Sequence, residues 1–69
     1  MNVVAPMFGK VVSIDVNTGD QVKENDEVAT IEAMKMYIKI NAPVDGSVKE
    51  IKVNPGEAIE LNSVIMTLE

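Results

Sequence analysis

Apolar and polar residues alternate in short runs along almost the whole chain, and turn-forming clusters interrupt them every few residues. The runs enriched in β-branched residues predict strands at Asn2 to Val4, Lys10 to Val16, Gln21 to Lys23, Val28 to Ala33, Met36 to Ile40, Ser47 to Val53, Ala58 to Leu61 and Val64 to Leu68. Between them lie Ala5-Pro6-Met7-Phe8-Gly9, Asn17-Thr18-Gly19-Asp20, Glu24-Asn25-Asp26-Glu27, Asn41 to Gly46 and Asn54-Pro55-Gly56-Glu57. The last has proline where a turn wants a preset φ and glycine where it wants a positive one. No stretch combines the length and the 3.6-residue period of a helix. The pattern predicts an all-β chain.

The pattern also repeats. Shifting the chain by 37 residues brings Ala5 onto Ala42 and, without a gap, Pro6 onto Pro43, Gly9 onto Gly46, Val11 onto Val48, Ile14 onto Ile51, Val16 onto Val53, Asn17 onto Asn54, Gly19 onto Gly56, Asn25 onto Asn62, Thr30 onto Thr67 and Glu32 onto Glu69. Glycines, turns and apolar positions are preserved together, which coincidence does not produce over half a chain. Residues 1–69 are therefore expected to form one domain of two equivalent halves, about 5–32 and 42–69, joined by a 33–41 hairpin segment. Neither half can bury its apolar face alone, so each should cover the other in a flattened barrel or sandwich with pseudo-twofold symmetry. The spacing Val11 to Ile14, shared by Val48 to Ile51, breaks the two-residue alternation. It predicts a bulge in both halves, letting one strand serve both layers.

The 33–41 segment has no partner in the repeat, and with the preceding Glu32 it opens the stretch Glu32-Ala33-Met34-Lys35-Met36. With Met34-Lys35 as a two-residue loop, Ala33 faces Met36, Ile31 faces Ile38 and Ala29 faces Ile40, while Glu32 faces Tyr37 and Thr30 faces Lys39. Apolar residues then share one face and polar or amphipathic ones the other. That register puts Lys35 at the tip, its amine in solvent. A tight reversal prefers Asn-Gly, whose backbone tolerates positive φ. Met34-Lys35 does not, so turn stability alone does not account for these residues.

Composition narrows the chemistry. Sixty-nine residues bury a small core, and the chain has no cysteine or histidine to staple it with disulfides or zinc. Thiol catalysis and a Ser-His-Asp arrangement are excluded on the same count. The net charge is −5 and the six lysines are scattered, so there is no basic stripe or stacking platform for nucleic acid. No apolar run approaches the roughly 20 residues of a membrane span, and the N-terminal residues lack the pattern of a secretory signal. A soluble domain of a reducing, cytoplasmic compartment is expected. Carboxylates such as Asp15, Asp20 and Asp45 could in principle serve hydrolysis, but they fall in turns, where acidic residues are ordinarily solvated. Another alternative is a barrel whose exposed methionine hairpin merely docks a partner.

Glu32-Ala33-Met34-Lys35-Met36 resembles the attachment motif of the biotinyl carrier domains, the biotin carboxyl carrier proteins and their relatives. The likeness extends through Ala5-Pro6-Met7, Gly9, Gly19-Asp20, Ala42-Pro43-Val44-Asp45-Gly46 and Gly56-Glu57. It implies a flattened β-barrel of two four-stranded antiparallel sheets and a biotin joined by an amide to the Lys35 amine. Glu32, Ala33, Met34 and Met36 would be recognition residues, with the methionines read by biotin protein ligase and later by the carboxylase sites. The resemblance further implies a carrier without catalytic residues of its own, shuttling a carboxyl group between a biotin carboxylase and a carboxyltransferase or decarboxylase. Lipoyl carriers share the fold but usually show Asp-Lys-Ala at the tip, and Met34 and Met36 differ from that. Phe8 departs from the proline usual in the biotinyl family, and Tyr37-Ile38 from a polar pair. No insertion separates Val16 from Gln21, so a protruding thumb is absent.

Overall fold

The computed structural model describes residues 1–69 and contains eight strands: β1 (Asn2–Val4), β2 (Gly9–Ile14), β3 (Gln21–Val22), β4 (Glu27–Ala33), β5 (Met36–Asn41), β6 (Gly46–Ile51), β7 (Ala58–Ile59) and β8 (Val64–Leu68). They build two four-stranded antiparallel sheets, ordered β1-β8-β6-β3 and β5-β4-β2-β7, in a body of 30 × 19 × 18 Å. This is the all-β, two-sheet architecture that the alternating pattern and the resemblance imply. Between the sheets lies one core, in which Val11, Val28, Ile31, Val48, Ile65 and Met66 are the largest fully buried side chains. Ala5, Ala29 and Ala42 are buried in the same core.

The strands of the two halves interleave. Moving β2, β3 and β4 along by 37 residues gives β6, β7 and β8, and β1 falls within β5. One sheet is thus the image of the other, and each takes two strands from each half. The halves do not simply cover one another as two separate layers: β2 pairs with β7 from the second half, and β3 with β6. The register of β2 on β4 shifts between Val11 and Ser13, and that of β6 on β8 between Val48 and Glu50, which places equivalent bulges at Val12 and Lys49. The bulges lie where the broken alternation points, but no strand serves both layers. Each bulge bends its strand within one sheet. Strands β2 and β6 end at Ile14 and Ile51, short of the expected Val16 and Val53.

Turn chemistry is duplicated as well. The Asp20 N–H donates to the Asn17 carbonyl at 3.0 Å and the Asn17 N–H to Asp20 Oδ2 at 2.8 Å. In the second half, the Glu57 N–H donates to the Asn54 carbonyl and the Asn54 N–H to Glu57 Oε1, both at 3.1 Å. Gly19 and Gly56 adopt φ of 95° and 91°, open to glycine at no steric cost. Gly9 and Gly46 serve a different need. A Cβ on Gly9 would stand 2.5 Å from the Glu32 carbonyl oxygen, and one on Gly46 2.8 Å from that of Glu69. Both are points where the backbone passes too close for any side chain.

Candidate functional site

The β4–β5 hairpin adopts the expected register: Ala33 opposite Met36, Glu32 opposite Tyr37, Ile31 opposite Ile38, Thr30 opposite Lys39 and Ala29 opposite Ile40. Met34 and Lys35 form the two-residue turn, with φ of 53° and 64°. Positive φ at both central positions is the hairpin geometry that matches strand twist, and it is the one Asn-Gly fills at low cost. The only other non-glycine residues with positive φ are Asn25 and Asn62, a repeat-related pair of the residue type that tolerates it. Met34 and Lys35 are thus the two positions where the chain accepts left-handed strain at ordinary side chains.

Lys35 is exposed and enters neither of the ion pairs, which belong to Lys39 and Lys52, nor any side-chain hydrogen bond. Its amine is free to meet an incoming group. Ala33, two residues before it, is buried, with its side chain close to Gly9. Met34 and Met36 are 74% and 65% exposed. Met36 shares a face with buried Ala33 and Ile31, but the hairpin overruns the end of the core, so its apolar side chain stands in solvent. Glu32 is exposed between Lys10 on β2 and Tyr37 on β5. The five motif residues therefore gather at one end of one sheet.

A polar strap stiffens the base of this hairpin. Thr30, on the outer face of β4, is only 5% exposed because Asp15 and Lys39 close over it. Its hydroxyl donates to Asp15 Oδ2 at 3.3 Å and accepts from Lys39 Nζ at 3.1 Å, while Ser13 Oγ donates to Asp15 Oδ1 at 2.8 Å. The strap crosses β5 and β4 and reaches Asp15, just past the end of β2. A buried hydroxyl needs such partners, since leaving it unpaired costs about 1–3 kcal/mol. The Lys39–Glu27 ion pair at 3.7 Å is exposed on both sides and adds little.

The acidic residues considered for hydrolysis are occupied elsewhere. Asp15 belongs to the strap, Asp20 closes its own turn, and Asp45 Oδ1 accepts the Glu24 N–H at 2.8 Å. They form no facing carboxylate pair. The recess lined by Val4, Pro6, Lys39, Ile40 and Asn41 contains no acid–base couple either.

One residue near the tip is not part of the motif. The contact of Gly9 with Glu32 and Ala33, and the pairing of Lys10 with Glu32, carry the Pro6-Met7-Phe8 loop alongside the hairpin end. Phe8 is 65% exposed there, and Tyr37 71%. These are the only aromatic residues of the chain, and both stand in solvent, Tyr37 two residues after Lys35 and Phe8 in the loop that leads into the strand paired with Glu32. Phe8 is far from the motif in sequence, and only the unexpected use of both aromatics outside the core could have signalled it.

Residues 1–68 match a biotin/lipoyl family model described as biotin-requiring enzyme. A 38-residue stretch, 55% of this chain and 6% of the relative, is 55% identical to the large subunit of a 2-oxoglutarate carboxylase from Hydrogenobacter thermophilus. Over its whole length the chain superposes on 6% of the urea carboxylase of Kluyveromyces lactis with a TM-score of 0.94 and 25% identity. It also superposes on the lipoyl domain of the 2-oxoglutarate dehydrogenase complex of Azotobacter vinelandii, over 100% of this chain and 95% of that one, at a TM-score of 0.83 and 24% identity. The last shows a shared fold.

Proposed function

Because the chain belongs to the biotin/lipoyl family of biotin-requiring enzymes, a family of carrier domains, we propose that it is a non-catalytic biotin carrier whose attachment residue is Lys35. The observation that carries this reading is the tip itself. A lysine without hydrogen-bond or salt-bridge partner stands on a strained two-residue turn, flanked by exposed methionines, at the end of a rigid sheet. The site fits a covalent group better than a bound one, since it offers an amine and no enclosing cavity.

In attachment, the neutral Lys35 Nζ attacks the activated carboxyl carbon of biotin, an amide forms, the activating group leaves, and the lysine proton passes to the ligase. Exposure gives Nζ access, and the positive φ of Met34 and Lys35 turns the stem away from the sheet. Ala33 and the Thr30 strap hold the base of the hairpin, so the arm swings from a fixed point. When bound, biotin supplies a ureido nitrogen that accepts a carboxyl group and gives it up. The chain supplies reach and recognition. Tethering raises the local concentration at each partner site to about the millimolar range. A biotin carboxylase and a carboxyltransferase or decarboxylase are the partners this role requires. The likeness to a carboxylase large subunit and to urea carboxylase favours a carboxylase assembly and biotin over lipoate.

The test is an intact mass after co-expression with a biotin ligase. The wild-type chain should gain one biotin-sized increment, and Lys35→Arg none. A wild type without the increment, one that takes a lipoyl group instead, or an increment that survives the substitution would refute the reading.

A further inference from the structure

The internal repeat provides a control for each residue near the tip, because the same backbone position occurs twice. The counterpart of Phe8 is Asp45. Asp45 has an evident structural duty there: its Oδ1 accepts the Glu24 N–H at 2.8 Å and ties the strand-leading loop to the Lys23–Asp26 turn. The counterpart of Glu24 is Leu61, and Phe8 has no oxygen to offer the Leu61 N–H. At this position the fold thus has a use for a carboxylate, and the half beside Lys35 forgoes it for an exposed aromatic ring. Burial does not explain the ring, since two-thirds of it faces water.

From this we infer that Phe8 is a specificity residue for the enzyme that acylates Lys35, forming with Met34, Met36 and Tyr37 an apolar collar which that enzyme buries. The inference rests on the biotin-carrier reading. Reach selects the attaching enzyme rather than those that act afterwards. During attachment the reacting atom is Lys35 Nζ, one side-chain length from the backbone, so the enzyme must close onto the tip and cover what surrounds it. Once the arm is loaded, the reacting atom lies a whole biotin tail farther out, and a partner can work without covering Phe8. The partner surface is accordingly an apolar pocket beside an activated-carboxyl site. Exposed aromatics that become buried in this way are the residues on which interface affinity concentrates.

The repeat also specifies the variant. Phe8→Asp installs the residue that the other half already uses, with an acceptor for the Leu61 N–H. Purified unmodified chain is titrated against a biotin ligase with ATP and biotin, and the thermal midpoint of each variant is measured in parallel. Phe8→Asp should raise the ligase KM for the chain about tenfold, as loss of one well-buried contact does. It should leave kcat within about twofold and the thermal midpoint unchanged or higher. Phe8→Leu should keep most of the affinity. A role in folding alone would lower the midpoint and leave KM as it was. An unaltered KM in Phe8→Asp overturns the inference while the carrier reading stands. Failure of wild-type chain to accept biotin overturns both. Should Phe8→Asp unfold, Phe8→Ser takes its place, with the same KM increase expected and the same unaltered value refuting.

Discussion

Replacing Met34-Lys35 by Asn-Gly should make the domain more stable and abolish its modification. Both residues have positive φ, at 53° and 64°. In that region an ordinary side chain crowds the following carbonyl, at a cost of roughly 1–2 kcal/mol per residue. Glycine escapes this but gains about 0.4–1 kcal/mol of unfolded-state freedom, and asparagine tolerates the region through its short polar side chain. The net gain is about 0.5–1 kcal/mol at each position, hence about 1–2 kcal/mol for the pair. For a domain of 69 residues, 1 kcal/mol moves the thermal midpoint by about 4–8 °C, so a rise of about 5–15 °C is expected. Far-UV circular dichroism on heating, with urea unfolding at constant slope, measures it. Met34→Asn alone should yield about half the rise and keep the lysine available to a ligase. Asn25→Ala and Asn62→Ala serve as controls in the opposite direction, each losing about 1 kcal/mol because alanine at positive φ is strained. An unchanged or lowered midpoint in the Asn-Gly variant would show that the turn is relaxed, and that its residues carry no stability cost for which function must account.

Two further outcomes use the repeat in the same way. Thr30 Oγ1 has both a donor and an acceptor partner, whereas its counterpart Thr67 Oγ1 is buried with none. Thr30→Val should therefore cost about 1–3 kcal/mol, and Thr67→Val should be neutral or stabilising; equal losses in urea unfolding would contradict the assignment. Gly9→Ala and Gly46→Ala should each destabilise by about 2–3 kcal/mol, since the new Cβ meets a backbone oxygen that cannot move without its strand. Wild-type melting of either variant would rule out the close approach.

The local features were readable from the chain, and the long-range ones were not. The β4–β5 register follows from alternation alone, because any one-residue slip would expose Ile31 and Ala29. The turn at Asn54-Pro55-Gly56 follows from residue conformation, and the bulges at Val12 and Lys49 from a broken period. The exchange of strands between halves left no such mark: β2 is as well suited to β8 as to β7 by composition, and the pairing of Gly9 and Lys10 with Ile59 and Ala58 joins residues about 50 apart in the chain. The same holds at the tip. Lys35 and its methionines are contiguous and could be read directly. Phe8 arrives from a distant loop through a backbone contact that no pattern of side chains encodes. Alternation puts Thr30 on the outer face, but its burial depends on Asp15, which lies outside the hairpin.

The interleaved halves also describe a history. Two copies of a half-length chain, unable to close a core singly, would complete each other as a homodimer with exchanged strands. The present domain has the form of that dimer with its two halves joined in one chain. Where β1 and β8 meet, the Leu68 N–H donates to the Met1 carbonyl at 2.8 Å and the Met1 amine to the Leu68 carbonyl at 2.9 Å. The joint between the halves is Met34-Lys35. The other turns of the fold recur 37 residues apart, whereas this one occurs once. A group placed on it is single by construction, and a domain of two equal halves thereby presents one arm.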